Sequence, residues 1–295
     1  MFSPAVFIAF LPALFMWELI AVKVNIRLPK PVRKRLFRIG GRFAILAWIV
    51  EALEKLIPLG NLPPLAHAFA AALVTAAVPE EIVKLAAIYR FGRRELDETG
   101  PGIAVLLAVG VSLGFAVFEN KLYVFEGGFA VWVLRAVTAV PMHAIFGLVM
   151  GSFMAIAWRD ARRTDYGALC CALIVPIMFH FAYDFLAMLH GFDQTLVWPT
   201  ILLPVVMLFE AIFALLLTNV ALNLANSAAS NRVSADPTGK RAAILSVCMI
   251  IFVAGLIALD IEFPDVRNIP LFAVLPLVLT IDITITALVR LSPER

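Results

Sequence analysis

The sequence predicts an all-α polytopic membrane protein, a transmembrane helix bundle of about nine spans. Three observations carry that expectation. Hydrophobic residues fill 62% of the 295 positions and charged residues only 15%, where a soluble domain has about a quarter of its residues charged. The mean hydropathy of +0.96 reflects more apolar surface than one water-soluble core of this length can bury. The apolar residues also come in runs of roughly 20, the helix length that crosses the hydrocarbon of a bilayer.

Taken in order, the runs cover 3–22, 43–59, 65–89, 102–125, 129–157, 167–189, 198–223, 243–260 and 270–290. The first has no basic leader and no Ala-x-Ala exit, so it reads as a retained helix rather than a cleaved signal. The second is the most interrupted, by Glu51, Glu54 and Lys55. Segment 224–242 is a polar, cytoplasmic linker. It separates a seven-span unit, residues 1–223, which holds the candidate chemistry, from two additional transmembrane helices in 243–295.

Basic residues set the orientation of such a chain. Eight of them lie between Lys23 and Arg42, which reads as a cytoplasmic loop. On that reading Arg90, Arg93 and Arg94, then Arg159, Arg162 and Arg163, then Arg232, Lys240 and Arg241, and finally Arg290 and Arg295 share the same side. Glu126, Asp193, Glu262 and Asp265 fall on the other. The N-terminus is then outside and the C-terminus cytoplasmic, in a multi-pass protein of the cell (cytoplasmic or inner) membrane. Flanked by apolar runs, the basic cluster faces the anionic lipid of the bilayer, and no nucleic-acid partner is expected. Cys170, Cys171 and Cys248 lie in apolar runs without CxxC or His/Cys spacing and read as small wall residues.

Ionisable groups at membrane depth cost at least ~2.5–3.5 kcal/mol each, which makes them functional candidates. Four consecutive runs carry patterned sets. In the third, Pro79 removes a backbone donor. If the helix restarts there, Glu80 and Glu81 sit in its first turn, where negative charge is favoured. Lys84 is within reach of either, so one acid faces a cavity while the other pairs with Lys84. A self-neutralised structural cluster is the bland alternative. The fourth run places Glu119 four residues after Phe115, with Asn120 following; these otherwise mark a helix end. In the fifth, His143 heads a stripe of Gly147, Gly151 and Ala155, whose small residues let a second helix approach. That turns His143 toward protein, where a plain interhelical hydrogen bond is the alternative. In the sixth, His180 and Asp184 lie four apart on one face, a pair able to orient and charge an imidazole, to bind a metal, or simply to clasp two helices. Together these carboxylates, imidazoles and an amide are equipment for moving protons and activating water. There is no matching serine nucleophile and no HExxH helix.

In this order the motifs Glu80-Glu81-x-x-Lys84, Phe115-x-x-x-Glu119-Asn120, His143 with Gly147, and His180-x-x-x-Asp184 resemble the PrsW family of glutamic-type intramembrane proteases. The type II CAAX prenyl endopeptidases resemble this chain more distantly. Their first motif ends in arginine one residue later, where this chain has Leu85, and their second ends in histidine, where it has Glu119. The resemblance spans roughly runs three to six. It implies hydrolysis of peptide bonds in membrane-protein substrates, such as single-span anti-sigma factors. It also implies a catalytic set of Glu80, Glu81, Glu119, His143 and His180, supported by Lys84, Asn120 and Asp184. A shielded glutamate becomes a competent base; Glu80 is the expected activator of water, with Glu81 held by Lys84. His143 or His180 serves the oxyanion or the leaving amine, Asn120 is a further oxyanion donor, and Asp184 orients His180. No cofactor is expected. The alternatives are a zinc ion held by Glu80, Glu119, His143 and His180, a non-catalytic scaffold of the kind found in γ-secretase, and a proton-coupled transporter.

Overall fold

The computed structural model describes residues 4–26, 28–54, 59–99, 101–160 and 164–228. Among these residues the structure is helical: α1 (Pro4–Val24), α2 (Lys30–Glu54), α3 (Pro64–Ala70), α4 (Val78–Thr99), α5 (Ile103–Val137), α6 (Ala139–Ala157), α7 (Tyr166–Phe192) and α8 (Trp198–Ala228). Four segments are long and apolar enough to cross a membrane: Ile103–Tyr123, Val131–Ala157, Tyr166–Phe192 and Trp198–Ala225. They correspond to the fourth through seventh apolar runs, and they make this a multi-pass membrane protein. The runs at 243–260 and 270–290 lie outside the described residues, as does the linker from residue 229 onward. α8 runs through Ala228, and Ala221 and Ala225, one turn apart, are buried against the bundle.

The basic segment is corrected. Rather than a loop from Lys23 to Arg42, the chain is helical from Lys30 onward. Lys30, Lys34, Arg38 and Arg42, at a spacing of four, are all exposed, while Leu36, Ile39 and Gly40 are buried. One face packs and the other carries charge, which is the pattern that stabilises an amphipathic helix. The packing is backbone on backbone. A Cβ on Gly40 would overlap the carbonyl of Val111, and one on Gly114 would overlap the backbone of Phe37.

The region 103–157 forms the centre. Helical geometry is continuous through Ile103–Val137, yet Arg135 reaches back to Glu119 at 2.5 Å. Sixteen residues of straight helix would separate them by about 24 Å, so the axis folds back between them and delivers two antiparallel spans. Small residues close the pair: a Cβ on Gly151 would sit 2.6 Å from the Cα of Val105, and one on Gly147 would sit 2.9 Å from Ser112 Oγ. The stripe below His143 therefore does face protein.

Between α3 and α4 the chain does not break. Residues Ala71–Ala77 form wide π-helical turns, closed where the Val78 N–H bonds to the Leu73 carbonyl. α-Helical geometry resumes at Val78, with Pro79 as its second residue and Glu80 and Glu81 in its first turn. Wide turns absorb the backbone donor that proline lacks. Thr75 helps by donating its hydroxyl to the Ala71 carbonyl at 2.6 Å.

Candidate active site

Lys84 is the hub. It is fully buried, and its ammonium donates to Glu80 Oε2 at 3.0 Å, Glu81 Oε1 at 2.7 Å and His143 Nδ1 at 3.1 Å. An ammonium has three protons, and each has an acceptor. The division expected from sequence, one acid on Lys84 and the other free, is corrected, because Lys84 holds both. The ring of Phe115 lies 4.3 Å from the same nitrogen, so this residue adds a π-face to the cation's environment.

The contact with Lys84 fixes the neighbouring imidazole. A nitrogen that accepts from an ammonium carries no proton, so His143 is protonated on Nε2, which donates to Glu119 Oε2 at 2.7 Å. Both His143 nitrogens are thus committed. The other oxygen of Glu119 accepts from Arg135 Nη2 at 2.5 Å, and Arg135 Nε donates to Asn120 Oδ1 at 2.9 Å. Asn120 is wholly buried, and its Nδ2 has no hydrogen-bond partner among the described residues.

His180 closes the constellation from α7. Its Nδ1 lies 2.9 Å from Glu81 Oε1, and its Nε2 lies 3.1 Å from Asp184 Oδ2 and 3.9 Å from Glu80 Oε2. The i, i+4 pairing of His180 with Asp184 is formed. Phe146 stacks on His180 with ring centroids 4.8 Å apart, and the two imidazoles are 5.5 Å apart, edge to face. All four sequence motifs thus meet in one contact network.

Three further groups belong to it. Arg135 ties down Glu119 and Asn120. Glu51, on α2, comes within hydrogen-bonding reach of Glu80. Glu210, on α8, is buried close to His180 and Asp184, and its Oε2 has no hydrogen-bond partner among the described residues. Arg135 and Glu210 are lone mid-run charges without an opposite charge three or four residues away. That isolation is the available sequence signal, because such a charge must find its partner beyond the neighbouring turn. The acids Glu51, Glu80, Glu81, Glu119, Asp184 and Glu210 outnumber the fixed cations Lys84 and Arg135. Shielded from water, that excess has to be met by protons or by a bound cation.

A bundle of apolar helices that buries acids, imidazoles and an unpaired amide at one level defines the class, a polytopic membrane protein with a hydrolase-like interior. Sequence comparison makes it specific. Residues 29–217 match the family described as PrsW family intramembrane metalloprotease. Among curated relatives the chain is similar to Protease PrsW of Shouchella clausii, 31% identical over 150 residues, which are 50% of this chain and 68% of that protein. It is similar to Protease PrsW of Geobacillus kaustophilus, 35% identical over 119 residues, 40% of this chain and 52% of that protein. It is also similar to Protease PrsW of Bacillus subtilis, 37% identical over 90 residues, 30% of this chain and 40% of that protein. No solved structure matches. The chain belongs to the PrsW family of intramembrane proteases.

The family's description names a metal, and the donor set bears on it. Glu80, Glu81 and His180 offer ligand atoms within 4.8 Å of one another, as do Glu80, Glu119 and His143. Oxygen and imidazole nitrogen suit zinc or a similar divalent ion. The second group is the poorer fit, since Lys84 and Glu119 occupy both nitrogens of His143. The first fits better. Glu81 Oε2 is buried without a hydrogen-bond partner among the described residues, and His180 with Nδ1–H on Glu81 turns Nε2 toward Glu80 and Asp184, the arrangement in which a carboxylate orients a metal-ligating histidine.

Proposed function

We propose that this protein is an intramembrane endopeptidase that hydrolyses peptide bonds of membrane-protein substrates by carboxylate-activated water, with Glu80 as the base. The observation that carries the reading is the meeting of Glu80, Glu81, Glu119, His143 and His180 in one buried network around Lys84. Glu80 is favoured over Glu81 because Glu81 Oε1 already accepts from two donors, Lys84 and His180. Glu80 has Lys84 and an acidic neighbour, Glu51. Glu80 takes the proton of the attacking water, and the oxyanion that forms meets the unpaired amide of Asn120. His180, steadied by Asp184, returns a proton to the leaving amine. His143 relays position between Lys84 and Glu119. The charge bias favours a cytoplasmic α2 start, an external N-terminus and nine spans in the cytoplasmic membrane. Single-span proteins such as anti-sigma factors are the substrate class.

A second reading adds a divalent ion held by Glu80, Glu81 and His180, favoured by the unpaired Glu81 Oε2. When bound, such an ion supplies Lewis-acid polarisation and a more acidic water. One experiment separates the readings: purified full-length protein in detergent is given single-span substrates, with and without a strong chelator, beside Glu80→Gln. Chelator-resistant cleavage, with a loss of ~10²–10⁴ in Glu80→Gln, supports the glutamate base alone. Loss on chelation, restored by zinc, selects the metal. Wild-type rates in Glu80→Gln would exclude both assignments of Glu80.

A further inference from the structure

We propose that Arg135 is a positioning residue for the reaction: it sets the orientation of the Asn120 side-chain amide and so makes Nδ2 the oxyanion donor. The proposal rests on the peptidase reading above.

One edge of a guanidinium presents parallel N–H groups. Here Nη2 takes Glu119 Oε1 and Nε takes Asn120 Oδ1. The same guanidinium carbon lies 3.9 Å from the ring centroid of Tyr123, one helical turn after Glu119. Arg135 therefore grips three residues on one stretch of α5 from the strand of chain that has folded back against it.

That grip has a chemical consequence. An amide side chain can face a neighbour with either its oxygen or its nitrogen. Arginine has only donors, so the atom that faces Arg135 has to be the oxygen. The NH₂ is thereby directed away from Arg135, where it is buried and meets no acceptor among the described residues. A buried donor left without a partner is uncommon in folded proteins, and in an active site it is suited to an oxygen that becomes charged only during the reaction. Glu119 is held by the same edge and is also fixed by His143, so Arg135 ties the amide to the catalytic imidazole–carboxylate network in one rigid unit. Lysine in its place keeps the positive charge for Glu119 but has no planar fork with which to hold Asn120 at the same time.

The test uses the full chain in detergent with single-span membrane-protein substrates. Arg135→Lys is expected to lower kcat by roughly 10–100-fold with KM within about twofold, and Asn120→Ala to lower kcat by about 10²–10³, the usual loss for an oxyanion donor. If Arg135 acts through the amide, Arg135→Lys adds little in the Asn120→Ala background. An equal loss in both backgrounds, or an unchanged Arg135→Lys, overturns the proposal. A second readout needs no activity. The ¹⁵N side-chain resonance of Asn120, assigned by its loss in Asn120→Ala, is expected as one set of signals in the wild type and as two in Arg135→Lys, where both amide orientations are populated. One unchanged set overturns the proposal even in a protein that cleaves, whereas absence of cleavage with split signals overturns the peptidase reading alone.

Discussion

The four membrane-length segments fall into two pairs that apolarity does not distinguish. In Ile103–Tyr123 and Val131–Ala157, 89% of the most apolar window is buried inside the protein; in Tyr166–Phe192 and Trp198–Ala225 the figures are 28% and 22%. The inner pair has glycines where another backbone lies against them, Gly114, Gly147 and Gly151. The outer pair exposes Ile174, Met178, Ile201, Val205, Phe209 and Leu216, and Gly191 on α7 has nothing within 4 Å of an added Cβ. In lipid, hydrocarbon outside competes equally with hydrocarbon inside, so an apolar side chain gains little by turning inward. Close backbone approach and polar partners decide which segment is central.

Substitutions can break or sharpen that contrast. The largest effect is expected at the hub. Lys84→Met leaves Glu80 and Glu81 buried beside each other without their shared cation, and should destabilise the fold by about 3–5 kcal/mol, read as a large fall in thermal unfolding temperature in detergent. Next, Gly151→Ala drives a methyl group toward Val105 Cα and the Ala104 carbonyl. Backbone cannot move aside as a side chain can, so a loss of about 1–3 kcal/mol is expected by the same measurement. Across the boundary between the pairs, Ser152 Oγ and Thr218 Oγ1 are 3.0 Å apart. Ser152→Ala should lose about 0.6 kcal/mol, a typical interhelical hydrogen bond in a membrane. The smallest effect belongs to Gly191→Ala on the outer pair, within about 0.5 kcal/mol of wild type. A Gly191→Ala loss as large as that of Gly151→Ala would show that the two pairs do not differ in this way.

The same contrast explains what could be read from sequence. Helical class and the spans from residue 102 to 223 followed from apolar runs. Pairs three or four apart were legible because an α-helix puts such residues side by side, and Lys84 with Glu80 and Glu81, like His180 with Asp184, are in contact. Arg135, Glu51 and Glu210 were not legible as members of the cluster, because their partners are far away in sequence and no local spacing announces them. The helical start of α2 was hidden by its charge, since eight basic residues suggest a loop until Leu36, Ile39 and Gly40 are seen to pack. That Lys84 serves both acids is a tertiary fact too, because its third acceptor, His143, comes from 59 residues away.

The π-helical stretch Ala71–Ala77 has a consequence for how the acids are aimed. Successive residues of an α-helix are turned by about 100°, and a π-bulge amounts to one residue more than the regular ladder accommodates. The direction of Glu80 and Glu81 is therefore a matter of counting. Removing one alanine from this stretch would let the backbone relax into an uninterrupted α-helix, with α3 still in place, and would swing both carboxylates by about 100° away from His143 and His180. The helix would be more regular, and the chain would keep each of its polar residues, yet Glu80 and Glu81 would no longer point at the imidazoles.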